Sequence, residues 1–230
     1  MVSPLPVSAV LFDFHATLAD AGDPGAALDA AWARCGRGAS AAEGLGREPC
    51  RRLALAVHHL WDRVREVDPE GRRDLSPAQH RAVFDALMRR LPGADPDLAG
   101  SLYEVLPAFW RPYEDTLPTL LALRRRGIAL ALVSNTASDL RPVLARWGML
   151  ELFGAVILSF ELGAVKPDTR MFQAALDALG AAAGHALMVG DNPFDDAGAA
   201  LLGVRTLLLP RTEGHSHGLD LVLRITGDTL

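Results

Sequence analysis

The chain has 230 residues, of which 50% are apolar and 22% charged, and its formal net charge is −5. This length and composition are typical of one large globular domain, or of a domain with an insert, and exclude a disordered chain. The acidic balance argues against a nucleic-acid partner. Apolar runs such as Ile128–Val133 are far shorter than the ~20 residues that span a bilayer. Two cysteines and no signal-peptide pattern predict a cytoplasmic protein.

The first part of the chain combines one strand with a helical segment. The apolar run Val7–Phe12 ends at Asp13 and predicts a buried strand. From Asp20 to about Trp110 apolar residues recur at helical spacing between glycines and prolines. Helices are predicted at Pro24–Cys35, at Arg51–Val67 and from Ser76-Pro77 onward. Connectors are predicted at Gly36–Gly46 and Leu91–Pro96.

After Pro118 helices and strands alternate along the chain. The predicted helices are Pro118–Arg126, Ser138–Trp147, Asp168–Leu179 and Asp195–Leu202. The predicted strands are Ile128–Val133, Ala155–Leu158, Ala186–Val189 and Val204–Leu209. Such alternation indicates βαβ units and a parallel sheet. We therefore predict an α/β fold with a doubly wound parallel sheet in a core domain of residues 1–19 and 112–230, interrupted by an α-helical domain of residues 20–111.

Polar residues follow four of the predicted strands. They are Asp13 and Thr17, then Ser134 and Asn135, then Lys166, and finally Asp191, Asp195 and Asp196. Ligands of doubly wound sheets bind at the carboxyl ends of the strands, so we expect these side chains to converge. Together they offer a carboxylate nucleophile, polar donors, a cation and an acidic cluster suited to Mg²⁺. Lys166 is the one lysine among 23 basic residues, which hints at a place that arginine cannot fill.

These stretches resemble the four motifs of the haloacid dehalogenase superfamily, whose members are mostly Mg²⁺-dependent phosphatases. The resemblance extends from about residue 8 to residue 209. Its most specific stretches are Leu11–Leu18, Glu161–Phe172 and Val189–Ala199. It implies a Rossmann-like core and a helical cap of that family's first type, which closes over small substrates.

The resemblance also implies a role for each polar residue. Asp13 attacks phosphorus and forms an aspartyl-phosphate. Lys166 neutralises the nucleophile and the phosphate. Ser134, together with Asn135 and the adjacent backbone amides, binds phosphate oxygens. Thr17 belongs to the same phosphate-binding set and steadies the loop that begins at Asp13, the nucleophile loop (residues 13–18).

A magnesium site is implied by the same motifs. Its ligands are the Asp13 carboxylate, the main-chain carbonyl of His15 and Asp191. Asp196 contributes through a water molecule, with Asp195 as the less favoured choice. An acidic residue before a helix can instead serve as its N-cap, so the choice between the two neighbours stays open.

One position departs from the family pattern. The family's phosphatases have a second aspartate two residues after the nucleophile, which protonates the leaving oxygen and then activates water. His15 stands there in this chain. An imidazole with its ordinary pKa of about 6.5 suits both proton transfers, although a nearby metal disfavours the imidazolium. His15 therefore either works as the acid–base group or marks a weakened enzyme.

The leading prediction is a Mg²⁺-dependent phosphatase that acts on a small phosphorylated metabolite, as a monomer or homodimer. The alternative is a weak or inactive relative that binds a phosphorylated ligand or a partner protein. A metal-independent haloacid dehalogenase is less favoured, because those enzymes carry a tyrosine where His15 stands. Phosphonoacetaldehyde hydrolases are excluded, since they use a cap lysine that residues 20–111 lack.

Overall fold

The computed structural model describes residues 6–211 and 216–227, which form two compact units. One unit contains the described residues up to Asp20 and from Pro112 onward, and the other is Ala21–Arg111. In the described part of the chain, none of the helices combines the length and the apolar character needed to cross a membrane.

Five parallel strands form the central sheet of the first unit. The strands of the described residues are β1 (Ala9–Phe12), β2 (Ala19–Asp20), β3 (Arg111–Pro112), β4 (Ala129–Ser134), β5 (Ala155–Leu158), β6 (Ala186–Gly190) and β7 (Arg205–Leu208). The sheet order is β5-β4-β1-β6-β7, and β2 and β3 form a separate two-stranded sheet. In register, Leu11 lies beside Ala131 on one side and Met188 on the other. The strand order reverses beside β1, and ligands of such sheets bind at this point.

The second unit is helical and has its own core. Its α-helices are α1 (Pro24–Arg34), α2 (Ala41–Leu45), α3 (Arg47–His58), α4 (Pro77–Met88) and α5 (Pro96–Phe109). Leu28, Trp32, Phe84 and Leu102 are among the buried residues that pack together, and each recurs with other apolar positions three or four residues away. Helical spacing therefore produced this apolar cluster, as the sequence predicted.

Two boundaries in this unit differ from the predictions. The helix predicted at Arg51–Val67 is wrong in its extent, because α3 ends at His58 and a 3₁₀ helix, Leu60–Glu66, follows. The predicted connector Gly36–Gly46 contains α2, whose first N–H, at Ala41, donates to the Asp29 carboxylate at 2.7 Å. A side chain at Gly44 would overlap the Trp32 ring, so glycine allows α2 to pack closely on α1.

Helices cover both faces of the central sheet. The remaining α-helices are α6 (Thr116–Arg125), α7 (Arg141–Arg146), α8 (Ser159–Leu162), α9 (Thr169–Leu179) and α10 (Asp220–Ile225). Phe172 of α9 packs in one cluster with Leu11 and Val133. Their neighbours Val10 and Leu132 point to the opposite face and are also fully buried. The predicted doubly wound α/β fold is therefore confirmed.

Two predicted helices of this unit are shorter or tighter than expected. The helix predicted at Ser138–Trp147 is reduced to α7, because the Thr136 hydroxyl accepts the Ser138 N–H at 3.2 Å and holds a turn there. The helix predicted at Asp195–Leu202 is a 3₁₀ helix, Asp196–Leu202. This tighter helix carries the buried Asp196.

Candidate active site

Asp13 lies at the carboxyl end of β1, beside the point where the strand order reverses. Its N–H donates to the Val189 carbonyl of β6 at 2.9 Å, and the residue is 8% exposed. The chain then turns, and the Leu18 N–H donates to the Phe14 carbonyl at 2.9 Å. This turn brings the Thr17 hydroxyl to 3.3 Å from Asp13 Oδ2. Thr17 thus lies on the nucleophile loop against the Asp13 carboxylate.

Lys166 joins two carboxylates in the interior of the first unit. Its Nζ donates to Asp13 Oδ1 and to Asp196 Oδ1, at 2.6 Å in each case, and Lys166 is 3% exposed. Asn135 fixes the Lys166 backbone from both sides, since its Oδ1 accepts the Lys166 N–H at 2.7 Å and its Nδ2 donates to the Lys166 carbonyl at 3.1 Å. The Asn135 side chain therefore holds the loop that carries Lys166, the lysine loop (residues 163–168).

Close packing of two glycines fixes Asp196 in place. A side chain at Gly190 would overlap the Asp196 carboxylate, and one at Gly198 would overlap the Pro167 backbone. Asp196 is fully buried, and its Oδ2 accepts the Asn192 N–H at 3.0 Å. Only glycine permits this approach of β6, the 3₁₀ helix and the lysine loop.

Three carboxylates converge in this unit. Asp13, Asp191 and Asp196 offer oxygens that all lie within 4.8 Å of one another. The neighbouring Asp195 instead accepts the Asn192 side-chain amide at 2.6 Å. Among the described residues, the structure thus groups Asp196, and not Asp195, with the other two carboxylates.

The electrostatics of this cluster leave it short of positive charge. Burial raises the pKa of Asp13 and that of Asp196, and Lys166 offsets this only in part. Burial also opposes the charge on Lys166, but its two carboxylate partners outweigh burial and raise the pKa of the ammonium. One ammonium is shared by two carboxylates. It therefore keeps its own charge but cannot fully offset the effect of burial on the pKa of either carboxyl group.

The cluster fits a divalent cation. Three carboxylates and the Lys166 ammonium sum to −3 + 1 = −2, and Arg211, which bonds to Asp191, has a side chain that is 61% exposed. Carboxylate oxygens are the ligands that Mg²⁺ prefers, and a doubly charged ion would balance this sum. The residues present therefore match the magnesium site that the motifs imply.

Ser134 presents a buried hydroxyl at the end of β4. Its Oγ has no hydrogen-bond partner among the described residues, and the residue is 1% exposed. Because buried hydroxyls nearly always have a partner, this one is suited to a ligand that the protein itself does not supply. A phosphate oxygen is such a ligand.

His15 is half-buried in the nucleophile loop. Its ring makes an edge-to-face contact with the Phe14 ring at a centroid distance of 4.8 Å, and its backbone forms a bridge with Ala19. The residue therefore belongs to the same turn as Asp13 and Thr17, two positions beyond the carboxylate.

Two residues of the site were not singled out from the sequence. Asn192 donates its backbone N–H to Asp196 and its side-chain amide to Asp195. Arg211 donates to the Asp191 carboxylate. Arg211 follows the carboxyl end of β7 by three residues, and this placement was the available signal. Asn192 follows Asp191 directly, where short polar side chains commonly bond to nearby backbone.

Comparisons with known proteins show which family this chain belongs to. A family model described as a haloacid dehalogenase-like hydrolase matches residues 7–203. The chain is 38% identical over 184 residues to the phosphoserine phosphatase of Thermus thermophilus, which covers 74% of this chain and 72% of that protein. It is 33% identical over 165 residues to the glyceraldehyde 3-phosphate phosphatase of Methanopyrus kandleri, covering 68% of each.

A solved structure agrees with the fold. It is that of the HAD-hydrolase YfnB from Bacillus subtilis bound to magnesium, with a TM-score of 0.69 at 19% identity. The match covers 96% of this chain and 99% of that one. The family predicted from the motifs is confirmed by the family model and by the sequence relatives. The chain belongs to the haloacid dehalogenase-like hydrolase family.

Proposed function

We propose that this protein is a Mg²⁺-dependent phosphatase that hydrolyses a small phosphorylated metabolite through an aspartyl-phosphate at Asp13. The observation that carries the proposal is the contact of Lys166 Nζ with Asp13 Oδ1 at 2.6 Å, in a cluster that also contains Asp191 and Asp196. Phosphoryl transfer depends chiefly on positioning and charge neutralisation, and this cluster offers both.

The names of the sequence relatives support the choice of substrate class. One relative is a phosphoserine phosphatase and another a glyceraldehyde 3-phosphate phosphatase. Both names denote small phosphate monoesters, so we propose a substrate of that class. We also propose Ala21–Arg111 as the cap domain that the family resemblance implies. A cytoplasmic location and a monomeric or homodimeric state stay predictions.

In the first step the Asp13 carboxylate attacks phosphorus. The new oxygen–phosphorus bond forms as the ester bond breaks, and the leaving oxygen takes a proton. Lys166 holds the carboxylate through Oδ1 while Thr17 contacts Oδ2, so the attacking group keeps one orientation. The Ser134 hydroxyl, which is buried and unpartnered among the described residues, would donate to a phosphate oxygen.

Mg²⁺ would be held by Asp13, Asp191 and the His15 carbonyl, with Asp196 contributing through a water molecule. When bound, it would supply positive charge that neutralises phosphate oxygens during transfer. Lys166 performs a related task at Asp13 Oδ1, since it stays protonated between Asp13 and Asp196. The chain itself therefore supplies one fixed positive charge and three negative ones.

His15 is proposed as the group that moves protons in both steps. As imidazolium it donates to the leaving oxygen, and as neutral imidazole it then accepts a proton from the water that attacks the aspartyl-phosphate. The second step releases phosphate and restores the Asp13 carboxylate. Each step leaves His15 in the form that the next step needs.

A second candidate function rests on the same residue. If the imidazole cannot replace the family's aspartate, the protein binds a phosphorylated ligand through Ser134 and Lys166 but turns it over slowly. Haloacid dehalogenation is the least favoured alternative, because the aspartate cluster suits a metal that dehalogenases do not need. Formation of a beryllium fluoride adduct at Asp13 would distinguish the phosphatase from the dehalogenase.

Phosphate release from a panel of phosphorylated metabolites tests the proposal directly. The panel should include phosphoserine and glyceraldehyde 3-phosphate, with and without Mg²⁺ and with EDTA. We expect Mg²⁺-dependent turnover above about 1 s⁻¹ for at least one compound. Turnover that is unaffected by EDTA would contradict the magnesium proposal, and dechlorination of 2-chloropropionate would favour the dehalogenase.

The substitution His15→Asp separates the two candidate functions. If His15 is the working acid–base group, the variant changes the pH profile of kcat while activity stays within the range of the wild type. If His15 disables the enzyme, His15→Asp raises kcat by about 10²–10⁴-fold, the usual contribution of general acid–base catalysis. We expect the first result. Phosphate release measured between pH 5 and 9 decides between them.

The neighbouring aspartates provide a matched pair of variants. We expect Asp196→Asn to weaken Mg²⁺ binding by roughly 10–100-fold, because Asp196 lies within 4.8 Å of Asp13 and Asp191. Asp195→Asn should leave the affinity near that of the wild type, since Asp195 bonds to Asn192. Isothermal titration with Mg²⁺ measures the affinity of both variants. Equal losses of affinity would contradict the assignment of Asp196, rather than Asp195, to the metal site.

A further inference from the structure

His217 contacts the nucleophile loop from a distant part of the chain. It precedes α10, is 4% exposed, and its Nε2 bonds to the main-chain carbonyl of Ala16. We propose that His217 is a positioning residue that holds the nucleophile loop in its reactive conformation, an inference that rests on the proposed phosphatase function. Nothing in the family motifs assigns a role to this residue.

The segment that His217 holds has an unusual backbone. Ala16 has a φ of +55°, in the left-handed region that residues with a side chain enter only at a cost. Its N–H donates to the Ala19 carbonyl at 2.8 Å, and its carbonyl is the group that His217 binds. Both backbone polar groups of Ala16 are thus bonded, which maintains a conformation that alanine disfavours.

The left-handed residue lies between two groups of the site. His15, whose carbonyl is a proposed metal ligand, precedes Ala16, and Thr17, whose hydroxyl lies 3.3 Å from Asp13 Oδ2, follows it. A change in the Ala16 backbone would therefore move the His15 carbonyl and the Thr17 hydroxyl together. His217 acts on the reaction through this loop.

His217 is itself firmly placed. The Asp115 carboxylate accepts the backbone N–H groups of His217, Gly218 and Leu219, at 3.0, 2.8 and 2.8 Å. The Tyr113 ring and the imidazole make an edge-to-face contact at a centroid distance of 4.7 Å. The anchor at Asp115 thus fixes the backbone, and Tyr113 fixes the ring.

The hydrogen bond to Ala16 shows which nitrogen of the imidazole carries a proton. A carbonyl oxygen only accepts, so Nε2 carries the proton. Nδ1 is buried and has no hydrogen-bond partner among the described residues. Within residues 6–211 and 216–227, the ring thus makes its one polar contact with Ala16, and a side chain that keeps a donor at this place should keep the function.

Two substitutions at His217 and a matched control test the proposal. We expect His217→Phe, which keeps a ring but removes the donor, to lower kcat by roughly 10–100-fold with little change in KM for the substrate. His217→Gln, which restores an N–H donor, should recover most of the activity. The control is His185→Phe, because His185 also bonds to a main-chain carbonyl, that of Pro6 at 2.9 Å, but lies at the amino ends of the strands.

The substitution Ala16→Gly distinguishes a positioning role of His217 from a general loss of stability. Glycine adopts a positive φ without the cost that alanine bears, so the loop needs less support. We expect His217→Phe to lower kcat less in the Ala16→Gly background than in the wild type, a coupling that a double-mutant cycle measures. Equal losses in both backgrounds, or a loss as large in His185→Phe, would overturn the proposal.

Amide hydrogen exchange keeps this test separate from that of the phosphatase function. We expect His217→Phe to speed exchange in the segment of residues 14–19, with the His185→Phe protein as reference. If the wild-type protein shows no phosphatase activity but His217→Phe still speeds exchange in this segment, the positioning role is supported and the proposed function is refuted. Unchanged exchange together with unchanged kcat would refute the positioning role.

Discussion

Replacing Asp13 with asparagine is expected to abolish phosphate release, with a loss of at least about 10⁴-fold in kcat. The amide cannot attack phosphorus, and neither Asp191 nor Asp196 lies at the end of β1 to replace it. The variant should still fold, because Lys166 keeps its bond to Asp196 at 2.6 Å. Asparagine also removes one of three clustered negative charges. Initial rates with Mg²⁺ and the preferred substrate measure the effect.

The control for this prediction is Asp139→Asn. Asp139 lies in the segment after β4, at the same edge of the sheet, but its side chain is 47% exposed and pairs with Arg141. We expect its activity to match the wild type. Activity that survives in Asp13→Asn, or an adduct with beryllium fluoride that still forms, would contradict the assignment of Asp13 as nucleophile.

The convergence of the site residues was predictable because the sheet is parallel. Asp13 and Asp191 each follow a buried strand and Ser134 ends one, and parallel strands end at the same edge. Lys166 lies further from a strand, and its place rested on the family resemblance. The contact of its Nζ with both Asp13 and Asp196 depends on how the loop after α8 folds. Periodicity alone carries no such information.

Other features depended on contacts between distant residues. The end of α3 at His58 is followed by a tighter helix within an apolar pattern that continues at helical spacing, so the pattern could not locate the break. Likewise α2 forms in a segment rich in glycine because Asp29 accepts its first N–H. Arg211 and His217 reach the site from the segment after β7, where the sequence has no periodic pattern.

Lys166→Met is expected to reduce both activity and stability. The substitution removes the one ammonium that Asp13 and Asp196 share, at 2.6 Å from each, and leaves two buried carboxylates without it. Breaking a buried ion pair in this way costs about 3–5 kcal/mol of unfolding free energy. Loss of a fixed positive charge from the transition state should lower kcat by at least about 10²-fold. Chemical denaturation and phosphate release measure the two effects.

The stability deficit of Lys166→Met should depend on pH in one direction. Burial already raises the pKa of Asp13 and Asp196 above the ordinary value of 3.8, and loss of Lys166 raises it further. The folded variant then binds more protons than the unfolded chain between 3.8 and the raised pKa. Its unfolding free energy therefore rises as the pH falls from neutral, and the deficit relative to the wild type shrinks. A deficit that grows as the pH falls would contradict this electrostatic account.

Two further variants separate the charge of Lys166 from its shape. Lys166→Arg keeps the charge, but a planar guanidinium does not fit a buried site built around one Nζ atom. We expect it to be more stable than Lys166→Met and yet far less active than the wild type. The exposed Arg124→Met should change neither property, because an isolated surface charge contributes little. Full activity in Lys166→Arg would mean that the site needs only a positive charge, and that the single lysine among 23 basic residues has no chemical cause.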